Sequence, residues 1–558
     1  MAIAHSSDAA RVVARPLFTP PAHARQHAVR MRDGVLLATD VYLPANERGP
    51  VLLARLPYDK AGDECFMPAI AAWFTERGYA VVVQDVRGKG RSGGEFDAFV
   101  NEVDDGFDTL EWITRQDWTG GRIGMFGDSY YGFTQWAAAA SGHPALAAIA
   151  PRVTTPDPSS IVSGGVFRLE MAIAWVLETF LDERLFDCRG DIDWTVRPQA
   201  DIAAAVLDGR HPPVLDEWAR GIVPPALGTP GTIPALHLVG LDDFLAGAGL
   251  AAWAQASSGP AEQQLLIDAR DHAWTARETA APGAAAVPEG DPHPAFLEEY
   301  LGPLLVFFDR HLGAALVLDG ARRTAAAAAI APVRWRIDDG AFHAAAQWPP
   351  AEVEARAWLL TVDGGLDADA GAGAVQPEPE SPGVRGFVHD PASPVPSAGN
   401  PFFPNLDRTD ESRLLERDDV LTFTSCAMPR PLILLGAGAL DLILDIDAPA
   451  GDSGTIGHVM VELLDVGPDG SAASITEAAT AVDAGDDRIR VALPAVGWEL
   501  PAGHRLTLAL SASSHPRYLL HPGTAEDPWT ARGGERRAYR VHLGGESRLE
   551  VDVRGDGR

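Results

Sequence analysis

Two short runs, Val51–Leu56 and Ala80–Val83, are apolar almost from end to end. A strand with one face in water alternates apolar and polar residues. A run without a polar face is buried on both sides, as in the middle of a parallel sheet. Between the two, Met67 to Arg77 places apolar residues at helical spacing and stops at Gly78. The alternation continues with a helix at about Asp104–Gln116, a strand at Arg122–Phe126, a helix from about Tyr130 and a strand at Leu146–Ala150. Upstream, Val29 to Tyr42 reads as a hairpin turning at Asp33-Gly34. Strands and helices in turn predict an α/β domain whose sheet is covered on both faces.

That pattern does not fill the 558 residues. Residues 1–25 read as a flexible extension. From 152 to 231 the alternation stops and helical, proline-punctuated sequence takes over, including an amphipathic stretch at Phe167–Phe180; this predicts a helical cap inserted into the α/β domain. Strands resume at Ala235–Val239 and Gln264–Ile267, and a helix at about Phe296–Leu312 closes the unit. The α/β domain is therefore expected over 26–151 and 232–320. Ala325–Ile330, nearly all alanine, reads as a linker. Over 333–558 short β-rich runs recur between Gly, Pro, Asp and Asn: Val333–Ile337, Ala357–Leu360, Val420–Thr424, Leu432–Leu435, Leu440–Ile446, Val459–Leu464, Leu506–Leu510, Tyr539–Leu543 and Leu549–Val553. They predict an all-β domain, an antiparallel sandwich or jelly roll.

A formal net charge of −32 repels nucleic acid and anionic lipid, so neither is expected as a partner. Three scattered cysteines, Cys65, Cys188 and Cys426, make neither a disulfide framework nor a metal motif, and point to a reducing compartment. No stretch approaches the ~20 apolar residues of a membrane span, and Met1–Leu17 lacks the layout of a signal peptide. A cytoplasmic location is expected.

Chemistry enters at Gly127-Asp128-Ser129-Tyr130-Tyr131-Gly132, between the strand ending at Phe126 and an alanine-rich helix. A sharp strand-turn-helix junction of this kind strains the central residue and exposes its side chain, which is what a nucleophilic serine needs. The spacing is Gly-x-Ser-x-x-Gly, one residue longer than the usual elbow. The structural alternative is a serine capping a helix. Two other serines compete. Gly90-Arg91-Ser92-Gly93-Gly94 fits the usual spacing but no helix starts there, so it reads as a loop. Gly451-Asp452-Ser453-Gly454 lies in the β-rich region and reads as a turn.

A serine hydroxyl attacks only when a base takes its proton, and the α/β-hydrolase fold supplies its partners in the order Ser, Asp or Glu, His. His272, just after the strand Gln264–Ile267, stands where the base belongs. The preceding strand leads into Asp242-Asp243; Asp243 is the first choice for the orienting acid and Asp242 the reserve. His143, His293 and His311 read as structural.

Several ordered segments now resemble the bacterial cocaine esterase family, within the X-prolyl dipeptidyl aminopeptidase superfamily. They include Met31-Arg32-Asp33-Gly34, Pro57-Tyr58-Asp59-Lys60, Gln84-Asp85-Val86-Arg87-Gly88, Gly124-Met125-Phe126-Gly127, Ser129-Tyr130, Thr134-Gln135-Trp136, Ala148-Ile149-Ala150-Pro151 and Phe307-Phe308-Asp309-Arg310-His311-Leu312. Asp419-Val420-Leu421, Gly503-His504-Arg505 and His515-Pro516-Arg517-Tyr518 extend the likeness into the β-rich part. The resemblance implies an α/β-hydrolase fold with an inserted helical cap and a C-terminal jelly roll. It also implies Ser129, Asp243 and His272 as a catalytic triad, and Tyr58 as an oxyanion-hole tyrosine beside the backbone N–H of Tyr130. Trp175 matches a substrate-lining tryptophan of the family, and Phe402 and Phe403 sit near another pocket-lining stretch. Leu245 stands where the family's namesake carries an aromatic. Superfamily members that hold a substrate ammonium with two acids after the catalytic aspartate resemble this chain less, because those positions are Leu245 and Ala246.

The expected function is hydrolysis of a carboxylic ester or amide through an acyl-enzyme, with a small-molecule substrate, no cofactor and no metal, and a homodimer as the candidate assembly. The alternatives are an amidase, β-lactam acylase or acyltransferase using the same residues, then an X-prolyl dipeptidyl peptidase, or a non-catalytic binding protein built around the β-rich domain.

Overall fold

The computed structural model describes residues 17–62, 64–181, 192–207, 209–228, 231–274, 294–313, 316, 318–337, 340–368, 383–405, 409–449, 453–543 and 547–555. Residues 1–16 of the N-terminal stretch, Cys188, Gly451, Asp452 and His293, weighed above, lie outside them. The chain forms two compact units: Arg15–Ser160 with Pro224–Gln347, and Ile161–Val223 with Trp348–Arg558.

The first unit opens with strands β1 (Arg25–Arg30), β2 (Leu36–Tyr42), β3 (Gly49–Leu56), β4 (Ala80–Asp85), β5 (Thr119–Asp128) and β6 (Leu146–Arg152). After the pair β7 (Val162–Ser163) and β8 (Val166–Phe167), which belongs to the second unit, it resumes with β9 (Ala235–Gly240), β10 (Gln263–Asp268), β11 (Val333–Trp335) and β12 (His343–Ala345). These ten make one sheet in the order β1-β2-β4-β3-β5-β6-β9-β10-β11-β12. The strands from β4 to β11 in that order run parallel. Its helices are α1 (Met67–Thr75), α2 (Glu102–Thr114) and α3 (Ser129–Ala140) before the inserted segment, and α7 (Ala246–Ala256), α8 (Pro294–Leu312) and α9 (Gly320–Ala327) after it. The inserted segment itself holds α4 (Leu169–Leu181), α5 (Asp201–Val206) and α6 (Pro213–Ala219).

The apolar runs do what two-sided burial requires. Every residue of β3 and β4 is buried. Leu52, Ala54 and Leu56 face a core shared with Ile70 and Phe74 of α1 and Leu304 and Phe308 of α8. Val51 and Leu53 face the opposite core, with Leu110 and Ile113 of α2 and Trp136 of α3. At about 1.5–3 kcal/mol for each large apolar side chain, these faces dominate the unit's stability. The hairpin at Asp33-Gly34 forms as expected, with β1 antiparallel to β2.

Two expectations about the boundary fail. Val333–Ile337 was expected to open the β-rich domain, but Val333–Trp335 pairs in parallel with β10 and extends the first unit's sheet. Ala325–Ile330 is not simply a linker either: its first three residues end α9, whose N-terminus is capped by Asp319 accepting from the Arg322 N–H. Alanine favours helix as strongly as it suggests a spacer, and a three-residue strand cannot be assigned to a sheet by periodicity.

The second unit is built on two antiparallel sheets. Its strands are β13 (Val353–Leu360), β14 (Leu366–Ala368), β15 (Val384–His389), β16 (Leu421–Thr424), β17 (Leu432–Ile446), β18 (Thr455–Val466), β19 (Ala472–Asp483), β20 (Arg488–Leu500), β21 (Arg505–Ser511), β22 (Arg537–His542) and β23 (Arg548–Arg554). One sheet runs β14-β13-β23-β17-β22-β15 with β20 also on β17; the other runs β16-β21-β18-β19. Trp358, Phe423, Leu440, Leu463, Leu508 and Val551 share the core between them. Leu432–Leu435 and Leu440–Ile446, read as two runs, are one strand broken by a bulge between Gly436 and Gly438.

Residues 161–223 of the inserted segment group with this sandwich and not with the sheet that precedes them. Gln199 donates to the Leu520 carbonyl at 2.9 Å and accepts from the Leu520 N–H at 3.0 Å, and Val166 packs with Met460, Ala479 and Tyr518. Among the described residues no helix is long and apolar enough to cross a membrane.

Candidate active site

Ser129 is the first residue of α3, directly after β5. Its φ of 48° lies in the left-handed region, which costs a non-glycine residue roughly 1–2 kcal/mol. The neighbourhood holds it there. Thr154 Oγ1 donates to the Ser129 carbonyl at 2.6 Å. Gln135 Nε2 donates to the Gly127 carbonyl at 3.0 Å while its Oε1 accepts from the Ala150 N–H at 2.9 Å, tying helix, β5 and β6 together. The two motif glycines answer to space. A Cβ on Gly127 would meet the Tyr131 ring at 2.1 Å, and one on Gly132 would meet Thr154 at 2.4 Å. The longer Gly-x-Ser-x-x-Gly spacing thus puts the second glycine where α3 passes closest to the loop after β6.

Two strands further along the sheet, β9 delivers Asp243, and its neighbour β10 delivers His272. Asp243 Oδ1 lies 2.9 Å from His272 Nδ1 and also accepts from the Leu245 N–H at 3.2 Å. The Asp243 carboxylate is almost fully buried, while the imidazole keeps a small exposed edge. The ring of Phe244 lies against it, 4.8 Å between centroids. Asp242 is half-buried and its N–H is spent on the Arg270 carbonyl at 3.1 Å. Asp243 therefore carries a carboxylate that meets the histidine. An Nδ1–H held by that carboxylate leaves the lone pair on Nε2, the tautomer a general base requires.

Tyr58 follows β3, which is hydrogen-bonded to β5, and its ring meets Tyr131 edge-on at 6.4 Å. The loop that carries it is pinned by a buried charge cluster. Asp85 Oδ1 accepts from the Lys60 N–H at 2.8 Å and Oδ2 from the Arg91 N–H at 2.9 Å; Lys60 Nζ lies 2.9 Å from Asp40. Burial pushes the Asp85 carboxyl up to about 6 and raises Asp40 as well, against the pull of the lysine. Tyr130, whose N–H follows Ser129, is buried and its hydroxyl donates to Glu102 Oε1 at 2.9 Å; Glu102 Oε2 in turn pairs with Arg55 at 2.8 Å. The hydroxyl of Tyr130 is thus a packing anchor.

The competing serine is a fastener. Ser92 Oγ donates to the Asp85 carbonyl at 2.6 Å and accepts from the Ala38 N–H at 2.8 Å, within the Gly88–Gly94 loop. His143 sits against Glu111 at 3.2 Å and His311 against Glu262 at 3.5 Å, both away from the strand ends that carry Ser129 and His272.

Of the expected pocket residues, Leu245 is buried beside Asp243 at the start of α7. Trp175, Phe402 and Phe403 belong to the second unit. Trp175 is half-buried on α4 with its ring 5.4 Å from that of Trp218. Phe402 and Phe403 are buried, and their N–H groups both point to Asn400 Oδ1, at 3.0 and 3.3 Å.

The residue before Ser129 was missed by sequence reasoning. Asp128 accepts from Arg152 Nε at 2.7 Å, from Arg152 Nη2, from Tyr131 at 2.9 Å and from Tyr300 at 2.7 Å. An aspartate in a strand-to-helix turn demands a cation nearby, but nothing in the sequence says which one.

Residues 33–274 match the X-Pro dipeptidyl-peptidase (S15 family) domain, and residues 326–550 match the X-Pro dipeptidyl-peptidase C-terminal non-catalytic domain. Cocaine esterase of Rhodococcus sp. (strain MB1 Bresler) is 30% identical over 549 residues, covering 88% of this chain and 90% of that protein. An aminopeptidase from a marine-sediment Thaumarchaeota archaeon superposes with a TM-score of 0.75 at 20% identity, covering 99% of this chain and 100% of the other. An α-amino acid ester hydrolase gives 0.73 at 22%, covering 97% and 98%. These two structures establish the shared fold. The length and identity of the match to the Rhodococcus esterase, together with the S15 domain laid over the strand ends that present Ser129, Asp243 and His272, make this chain a serine hydrolase of the cocaine esterase family, within the X-prolyl dipeptidyl aminopeptidase superfamily of α/β-hydrolases.

Proposed function

We propose that the chain hydrolyses a small, uncharged carboxylic ester through an acyl-enzyme on Ser129. The observation that carries this reading is the 2.9 Å contact between His272 Nδ1 and the buried Asp243 carboxylate, at the sheet edge that also presents Ser129. His272 Nε2 takes the Ser129 proton as the hydroxyl attacks the carbonyl, then returns it to the leaving alcohol. Water repeats the attack on the acyl-enzyme by the same route. Asp243 fixes the imidazole tautomer and stabilises the imidazolium. The Tyr58 hydroxyl and the Tyr130 N–H are the donors for the oxyanion, each worth roughly 3–4 kcal/mol in the transition state.

The substrate class follows from what stands beside the acid. Leu245 and Ala246 are apolar and buried, so this segment offers no carboxylate to a substrate ammonium. Cys65 and Cys426 are unbridged, which fits a reducing compartment such as the cytoplasm.

The test is a panel of p-nitrophenyl esters and matching anilides of varied acyl size, run beside a fluorophosphonate probe. Neutral esters should turn over faster than anilides, and the probe should mark the peptide that contains Ser129. Labelling elsewhere, or a preference for substrates with a free α-ammonium, would overturn the reading.

A further inference from the structure

The strained nucleophile turn and the histidine loop are carried by different strands, yet one side chain touches both. Asp128 ends β5 and Arg152 ends β6, and the two are direct cross-strand partners in the parallel ladder. Arg152 Nε donates to Asp128 Oδ1 at 2.7 Å and Nη2 to Oδ2. Both side chains are largely out of solvent, the arginine at 4% exposure and the aspartate at 13%. The same guanidinium lies 3.8 Å from the ring centre of Tyr300 on α8 and 5.0 Å from that of Trp274. Trp274 is two residues after His272 and is itself held at a left-handed φ of 65° by its N–H on the Asp271 carbonyl. Two residues after Arg152, Thr154 donates to the Ser129 carbonyl.

We propose that the Asp128–Arg152 pair is a positioning device that sets the nucleophile turn and the histidine loop in register with each other. Asp128 is the residue through which the pair grips Ser129, and the face of Trp274 is the one through which it grips His272. A left-handed serine persists only where its surroundings over-determine it. Four donors converging on the Asp128 carboxylate, with Tyr131 and Tyr300 completing the set, supply that constraint. Neither residue need touch substrate. A shift of about 1 Å between nucleophile and base can cost on the order of 10²-fold in rate, so loosening the clamp should act on the chemical step and spare binding.

The inference rests on the proposed roles of Ser129 and His272, and the experiment separates the two. Asp128→Asn and Arg152→Met should each lower kcat by about 10- to 100-fold with KM within about twofold, and fluorophosphonate labelling should slow in parallel. Removing one partner leaves a buried charge without its mate, whereas removing both is often close to neutral for folding. The double variant Asp128→Asn/Arg152→Met should therefore regain much of the Tm lost in the singles while kcat stays at least 10-fold down. Tyr131→Phe and Tyr300→Phe, which each delete one donor without unbalancing charge, should fold normally and lower kcat by about two- to fivefold. Recovery of kcat together with Tm in the double variant, or tyrosine variants with unchanged kcat, would reduce the pair to a fold element and overturn the proposal. Activity surviving in Ser129→Ala would instead strike at the proposed reaction itself.

Discussion

The hydrolase unit and the sandwich unit solve backbone geometry differently. Among the described residues, every non-glycine residue with a left-handed φ lies in the hydrolase unit: Glu47, Asp59, Phe66, Phe99, Ser129, Val153 and Trp274. Among the described residues of the sandwich unit only glycines take positive φ. Four of the seven share one kind of position. Asp59, Ser129, Val153 and Trp274 each follow the C-terminal end of a parallel strand, after β3, β5, β6 and β10. Ligands of open α/β sheets bind at that edge. Buried charge differs as well. In the hydrolase unit Lys60 answers Asp40 and Asp85, and Arg55 answers Glu102. In the sandwich unit a single arginine, Arg517, is surrounded by Glu170, Glu462 and Glu477. The hydrolase unit therefore keeps strain in its backbone and sets cations against its buried carboxylates; the sandwich unit relaxes its backbone and crowds three glutamates around Arg517.

The largest effect expected from breaking this contrast is at Ser129. Ser129→Ala should lower kcat by about 10⁶-fold, the scale of losing a triad nucleophile, with no fall in Tm. Ser92→Ala is the control and should keep near-wild-type turnover. Equal losses at the two serines would mean that the turn after β5 has no special standing.

Next comes the acid. An asparagine at Asp243 can hold His272 only in the wrong tautomer, so Asp243→Asn should lower kcat by about 10⁴-fold. Asp242→Asn, one residue away, should stay within about tenfold. Steady-state rates on one ester decide between them.

Tyr58→Phe should be milder, about 10²- to 10³-fold in kcat, the range for one oxyanion donor. Its effect belongs in kcat because the oxyanion is absent from the ground state. A defect confined to KM would remove Tyr58 from the oxyanion hole.

Smaller still is the cost of strain itself. Ser129→Gly abolishes the nucleophile as Ser129→Ala does, but a glycine accepts φ 48° freely. It should be about 1 kcal/mol more stable than Ser129→Ala. The comparable change in a sandwich strand, Ala473→Gly on β19, should go the other way, losing about 0.5–1 kcal/mol. Chemical denaturation of the three variants measures both signs. Glycine stabilising both positions, or neither, would dissolve the contrast.

The hydrolase unit was far more legible in the sequence than the sandwich. Strands buried on both faces announce themselves as apolar runs, and Val51–Leu56 and Ala80–Val83 fall inside β3 and β4. β19 went unread because Ile475 and Val482 are the only large apolar residues in AASITEAATAVD, and seven of its twelve residues are not fully buried. β20 went unread because it contains Pro494. That proline falls where the β17–β20 register breaks between Gly436 and Gly438, so no ladder donor is missed. In the candidate site, Ser129, Asp243 and His272 could be picked out because each sits at a strand end in a fixed order. The Asp128–Arg152 pair was not, because partners 24 residues apart are joined by strand register and not by local pattern.

The least effect, and the one that tests the charge half of the comparison, is expected at Glu462 on β18. Burial raises its carboxyl well above the usual range, and repulsion from Glu411 and Glu477 adds to the rise; a hydrogen bond from Ser474 and the charge of Arg517 oppose it. Burial raises Glu411 in the same way, with Arg517 pulling down and Glu477 and Asp410 pushing up. A carboxyl whose folded pKa lies above its unfolded value stabilises fully below the unfolded value, near 4.5, and that stability is lost as pH rises through the folded one. Glu462→Gln removes the titration and keeps the shape. Its Tm should match wild type near pH 5 and exceed it by a few degrees at pH 8, read by calorimetry at both values. In the hydrolase unit Glu102 is also raised by burial, but it is paired with Arg55. Glu102→Gln leaves that arginine without its partner and should lower Tm at both pH values. If Glu462→Gln shifted Tm equally at pH 5 and pH 8, the excess negative charge around Arg517 would carry no energetic weight, and only the backbone half of the comparison would stand.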